Sequence, residues 1–156
     1  MRPLAFCLMP NHFHLLLWSR VGSEISTYMQ LVMNIHIRDL QDRHHTRGTG
    51  HVYQGRHKNV PILTEHHFLI AARYVESNAL AAALVERAQD WEWCSLNQAD
   101  HCARLVSPWP LSRPDNWVDL VNQIIGDKSL KEIRKYARTA YKLGAFPMKC
   151  GAGLIG

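Results

Sequence analysis

Met9-Pro-Asn-His-Phe-His-Leu-Leu-Leu17 is the stretch on which the fold turns. Pro10-Asn11 reads as a turn. The apolar run Leu4 to Leu8 before it and the segment His12 to Trp18 after it read as strands, so the pair predicts a hairpin. Side chains alternate along a strand. His12 and His14 therefore share one face, and Phe13 points to the opposite, core side. Two neighbouring imidazoles on a rigid strand are half of a divalent-metal site. Two histidines on a solvated strand face carry the same pattern.

Working outward, Ser23 is an N-cap for a helix running to about Arg43. Ile25, Tyr28, Met29, Val32, Ile35 and Leu40 keep close to helical spacing within it. A Gly-rich basic loop follows, Thr46 to Asn59. Val60 to Leu63 reads as a short strand, and Pro61 argues for an edge or a strand start. Thr64 caps a second helix, about Glu65 to Leu84, with the stripe Phe68, Ala72, Val75 and Ala79. Trp91, Trp93 and Leu96 suggest an irregular packed segment. Pro108, Pro110 and Pro114 mark a linker. Trp117 to Ile125 and Leu130 to Leu143 read as short helices, and the end after Gly144 as frayed. The expected organisation is a first domain over 1–106, a Pro-rich linker over 107–114 and a basic helical segment over 115–156.

The chain has 156 residues, 47% apolar and 20% charged. Such a composition buries a real core and excludes a disordered chain. The longest apolar run, Ala79 to Val85, falls far short of the roughly 20 residues a membrane span needs. Cys7, Cys94, Cys102 and Cys150 are too widely spaced for a disulfide framework or a Cys-x-x-Cys zinc site, so a cytoplasmic setting is the expectation. The net charge of +5 is uneven. Lys128 to Lys149 holds seven basic residues against one acid, Glu132. Between Asp42 and Glu65 no acid occurs, while Arg43, Arg47, Arg56 and Lys58 do. Two such segments point to a polyanion, nucleic acid first. A solvated basic surface has the same composition.

Two further features carry chemistry. Tyr74 and Asn78 stand at i and i+4, on one helical face. An amide oxygen can ligate a hard cation, and a phenol is a nucleophile once deprotonated. A tyrosine packed at a helix boundary, with Asn78 closing a turn, would look alike. The loop Gly48 to Lys58 combines glycines that let backbone approach phosphates with Gln54, Arg56 and Lys58, and Tyr53 offers a stacking face for an unpaired base. A flexible surface loop is the other reading.

Together and in this order, Met9 to Leu17, Gly48-Thr-Gly-His-Val-Tyr-Gln-Gly-Arg56, Arg73-Tyr-Val-Glu-Ser-Asn78 and Asp90-Trp-Glu-Trp-Cys-Ser95 resemble the REP-associated tyrosine transposases of the HUH single-tyrosine superfamily. The resemblance implies an α+β fold: a ferredoxin-like antiparallel sheet with helices on one face, plus a helical C-terminal appendage. It implies Tyr74 as nucleophile and His12, His14 and Asn78 as ligands of Mg²⁺ or Mn²⁺. It implies single-stranded or hairpin DNA as substrate, cleaved and transferred through a 5′-phosphotyrosine, in the cytoplasm of a bacterium at its nucleoid. Gln54, Arg56, Lys58, Tyr53, Arg73, Arg134, Lys135 and Arg138 are the expected DNA contacts.

The chain departs from the pattern in three places. Asn78 is followed by Ala79 where the family has proline, and Arg56 by His57 where many members have an aromatic residue. The family fold also begins with a strand and helix before the hairpin, and this chain is read as lacking them. The absent strand would lie beside the histidine strand, whose open edge would recruit another strand, with a homodimer as one outcome. The alternative function is a non-catalytic relic that binds hairpin or single-stranded DNA.

Overall fold

The computed structural model describes residues 1–21, 23–48, 50–53, 59–123 and 151–155. The expected hairpin is present as β1 (Arg2–Leu8) and β2 (Phe13–Ser19), with Cys7 opposite His14 and Ala5 opposite Leu16. The register shifts between Pro3 and Ala5, so Leu4 is an extra residue in β1. The helix after it is α1 (Ser23–His44), and the short strand is β3 (Asn59–Ile62).

The second helix differs from expectation. It is split into α2 (Glu65–Glu76) and α3 (Asn78–Ala81), with Ser77 between them at φ −90°, ψ −1°. The predicted cap is there: the Thr64 hydroxyl accepts the His67 N–H at 3.2 Å. α3 ends early because Ala83 adopts the left-handed conformation, φ 54°. The Ala83 and Leu84 N–H groups then close back on the Leu80 and Ala79 carbonyls. Beyond it lie a 3₁₀ turn (Ala88–Asp90), α4 (Asp100–Ala103) and α5 (Trp117–Asn122).

The last strand, β4 (Gly151–Ile155), stands inside the sheet, whose order is β1-β2-β4-β3 with every pairing antiparallel. Leu15 pairs with Ile155 and Ser19 with Gly151 on one side of β4; Asn59 pairs with Ile155 and Ile62 with Ala152 on the other. This corrects two expectations. Residues 151–155, expected to fray, are paired, and the edge of the histidine strand is filled from within the same chain. The helical appendage is described only as α5; the predicted helix over 130–143 lies outside the described residues.

The expectation of helices on one face of the sheet is corrected: α1 and α2 do not share a face. Leu16 packs with Phe68, Ala71, Ala72 and Val75 of α2. Its neighbour Leu17 packs with Ile25 and Met29 of α1, joined by Phe13, Leu15 and Tyr28. Successive β2 side chains point to opposite faces, so α1 and α2 cover opposite sides. The unbroken run Phe13-His-Leu-Leu-Leu-Trp18 is the reason: with apolar side chains at both parities, both faces need cover.

The outer side of β1 is closed by the segment around Trp93, where the Leu8 N–H bonds the Trp93 carbonyl and the Ser95 N–H the Phe6 carbonyl, each at 2.9 Å. Residues 107–117 lie on the same core. The Trp109 indole N–H reaches the Leu4 carbonyl at 2.8 Å, and Trp109 meets Phe68 and Trp117 edge-on. Among the described residues no helix is long and apolar enough to cross a membrane.

Candidate functional site

His12 lies in the tight turn that joins the strands, where the Met9 N–H bonds its carbonyl at 2.8 Å. It is exposed, and its Nδ1 is 2.7 Å from the Asn11 side-chain oxygen. His14 is partly buried one pleat on, with the two ring centroids 5.0 Å apart and edge-on. Tyr74 of α2 also meets His14, centroids 5.3 Å apart and again edge-on. His14 thus has both His12 and Tyr74 as ring neighbours. Burial, and secondarily the charge of His12, push the His14 imidazole down to about 4. His14 is therefore neutral at neutral pH, the state with a lone pair to offer a metal.

Asn78 begins α3, just past the interruption. Its Nδ2 donates to the Tyr74 and Val75 carbonyls. The amide is thereby fixed against the last turn of α2, with Oδ1 left as its acceptor. Among the described residues no group of three or more His, Cys, Asp or Glu side chains is placed to hold a metal ion. The histidine pair needs a ligand of another kind, and an amide oxygen suits a hard cation.

The expected DNA contacts divide. Gln54, Arg56 and Lys58, and Arg134, Lys135 and Arg138, lie outside the described residues. Tyr53 is on the other side of the sheet from Tyr74. Its ring meets Phe13 edge-on at 6.2 Å, and its hydroxyl is 2.7 Å from Nδ1 of His36 on α1. Partial burial raises its pKa. Arg73 reaches backbone: its Nη2 donates to the Gln123 carbonyl at 3.0 Å, just past α5, and its Nε is buried without a hydrogen-bond partner among the described residues. In the basic stretch after α1 begins to end, Arg43 pairs with Asp39 at 3.0 Å and Arg47 with Asp42.

One residue the sequence reading passed over stands directly behind the site. Glu76 closes α2 and is fully buried. Its Oε1 accepts the Ser95 hydroxyl at 2.8 Å and lies 3.7 Å from Nη2 of Arg113; its Oε2 accepts the Trp117 indole N–H at 2.6 Å. The Arg113 guanidinium also lies over the Trp109 ring, 4.2 Å from its centroid. Burial raises the Glu76 pKa, while Arg113, Trp117 and Ser95 act to lower it. The Ser95 hydroxyl in turn accepts the Phe6 N–H at 3.0 Å, so the network reaches β1. A signal was present: Glu76 falls four residues after Ala72 and three before Ala79, inside the apolar stripe. A carboxylate there is buried only if it is paired.

Comparison with family models, with curated proteins and with solved structures finds no match to this chain.

Proposed function

We propose that this protein cleaves and rejoins single-stranded DNA next to a hairpin or palindromic repeat, through a 5′-phosphotyrosine at Tyr74, in the manner of the REP-associated tyrosine transposases it resembles. The observation that carries the reading is the contact of His14 with both His12 and Tyr74, with a nucleophile candidate 5.3 Å, ring to ring, from a neutral imidazole. The all-antiparallel order β1-β2-β4-β3 supports a ferredoxin-like sheet order in which β4 takes the central place beside the histidine strand, with α1 and α2 on opposite faces rather than on one.

The donor types, two imidazoles and an amide oxygen, suit a divalent cation. His12 and His14 would hold Mg²⁺ or Mn²⁺ with Oδ1 of Asn78, whose Nδ2 is already engaged by backbone. Bound there, the ion would polarise the scissile phosphoryl group and offset the charge that builds on it. Tyr74 supplies the attacking oxygen. Its Oη–phosphorus bond forms as the phosphorus–O3′ bond breaks; the phenol proton is lost, and the departing 3′ oxygen takes one up. The bond energy is kept in the phosphotyrosine, so a second 3′-hydroxyl can reverse the step and join strands without a nucleotide cofactor.

The test is a denaturing gel. End-labelled hairpin DNA mixed with the protein and Mg²⁺ or Mn²⁺ is expected to give a covalent adduct that a chelator prevents. Tyr74→Phe is expected to give none while still binding Mn²⁺. An undiminished adduct in Tyr74→Phe removes Tyr74 from the mechanism. Tight DNA binding with no adduct from the unsubstituted protein selects the non-catalytic reading.

A further inference from the structure

We infer that Glu76 is the positioning residue for Tyr74: its buried carboxylate anchors the end of α2 and so turns the phenol toward the histidine strand. The functional half of this inference rests on the strand-transfer reading above.

The geometry is that of a short lever. Residues two apart on a helix, at 3.6 residues per turn, project about 200° apart, which puts them on nearly opposite sides. Tyr74 and Glu76 are such a pair. Glu76 is held on one side by Ser95 and Trp117, from two separate segments of chain. With that side fixed, Tyr74 can face only the other way, and there it meets His14.

The anchor also sits one residue before the interruption at Ser77. The Ser77 N–H is shared between the Arg73 and Val75 carbonyls, and its ψ of −1° departs from a helical value. A free helix end would fray at such a point. Here the Glu76 carboxylate and, through the Cys94 thiol at 3.6 Å, its carbonyl both bond to the 94–95 segment. Asn78, on the far side of the interruption, stays bonded to the Tyr74 carbonyl. The proposed nucleophile and the proposed third ligand are therefore indexed to each other by a carboxylate that touches neither substrate nor metal.

Glu76→Gln is the informative substitution. Its amide oxygen can accept from Trp117, but its NH₂ cannot accept the Ser95 hydroxyl, so the side-chain shape is retained while the Ser95 bond and the ionic hold of Arg113 are lost. Two readouts separate positioning from stability, both taken well below the unfolding temperature. The first is the His14 ring-proton resonance, which the Tyr74 ring current shifts. It is expected to move in Glu76→Gln and in Trp117→Phe, and to stay near its place in Tyr74→Phe, which keeps a ring there. The second is the rate of adduct formation, expected to fall on the order of 10- to 100-fold with DNA affinity unchanged, as small misplacements of a reacting group do. A folded Glu76→Gln protein whose His14 resonance does not move overturns the inference, whatever its activity. A moved resonance with an unchanged adduct rate also overturns it. If the unsubstituted protein forms no adduct, the strand-transfer reading falls, and the resonance alone decides whether Glu76 sets the Tyr74–His14 geometry.

Discussion

His14 differs from His12 in its surroundings more than in its chemistry. Covered by Tyr74 and set one pleat inside the sheet, it resists protonation, and this couples the site to folding. The folded-state value of about 4 lies below the ordinary 6.5. Between those values the unfolded chain binds a proton that the folded chain does not, so stability rises with pH through that window. The contribution is complete above about pH 6.5 and is lost as pH falls toward 4. Urea midpoints measured across pH 4 to 7 are expected to drop on acidification. His14→Asn should flatten that drop markedly. His12→Asn should flatten it only a little, because burial is the larger cause. A His14→Asn protein with the unsubstituted slope would show that His14 is not the group responsible. Of the candidate site, the nearness of His12 and His14 was legible from their spacing, although His12 falls in the turn and not on β2. Glu76 was not, since its partners Ser95, Arg113 and Trp117 come from segments that only the folded chain brings together.

Among the elements, β2 has the most to organise, since it presents His14 and Leu16 toward α2 and Phe13 and Leu17 toward α1. Leu16→Ala and Leu17→Ala each remove a fully buried side chain, and each should cost about 2–5 kcal/mol of unfolding free energy. Their local effects should differ. Hydrogen exchange is expected to quicken in α1 for Leu17→Ala and in α2 for Leu16→Ala; the same pattern for both would mean that the two faces are not separately covered. By contrast Leu31 and Ile35, each 58% exposed on α1, contribute nothing comparable. The spacing of α1 marked Ile35 and Val32 as core alongside Ile25 and Met29, but only the first turns of the helix lie on the sheet. Periodicity reports which side of a helix is apolar and not how much of its length finds a partner. The two-sided cover, on the other hand, could have been read from Leu15-Leu-Leu17, where alternation is absent.

At the scale of the whole molecule the sheet depends on β4. Gly151-Ala-Gly-Leu-Ile155 has low strand propensity and few side chains to pattern, so nothing local distinguishes it from a loose tail. Its place follows from the vacancy between β2 and β3, which each present a row of backbone donors and acceptors there. Removing residues 151–156 should leave those two edges open. The shortened protein is expected to unfold at lower denaturant and to self-associate with rising concentration, as seen by sedimentation velocity. A peptide Gly151–Gly156 added in excess should reverse both effects. A shortened protein that stays monomeric with an unchanged midpoint would show that β4 adds nothing to the sheet. The same arrangement sets the tempo at which the molecule assembles. Leu15 waits for Ile155, as Leu4 waits for a tryptophan 105 positions away. Pairings so remote in sequence make for high contact order and slow folding. On the ribosome, β2 emerges long before β4 and must remain half-paired until β4 arrives, so the nascent chain should lean heavily on chaperones.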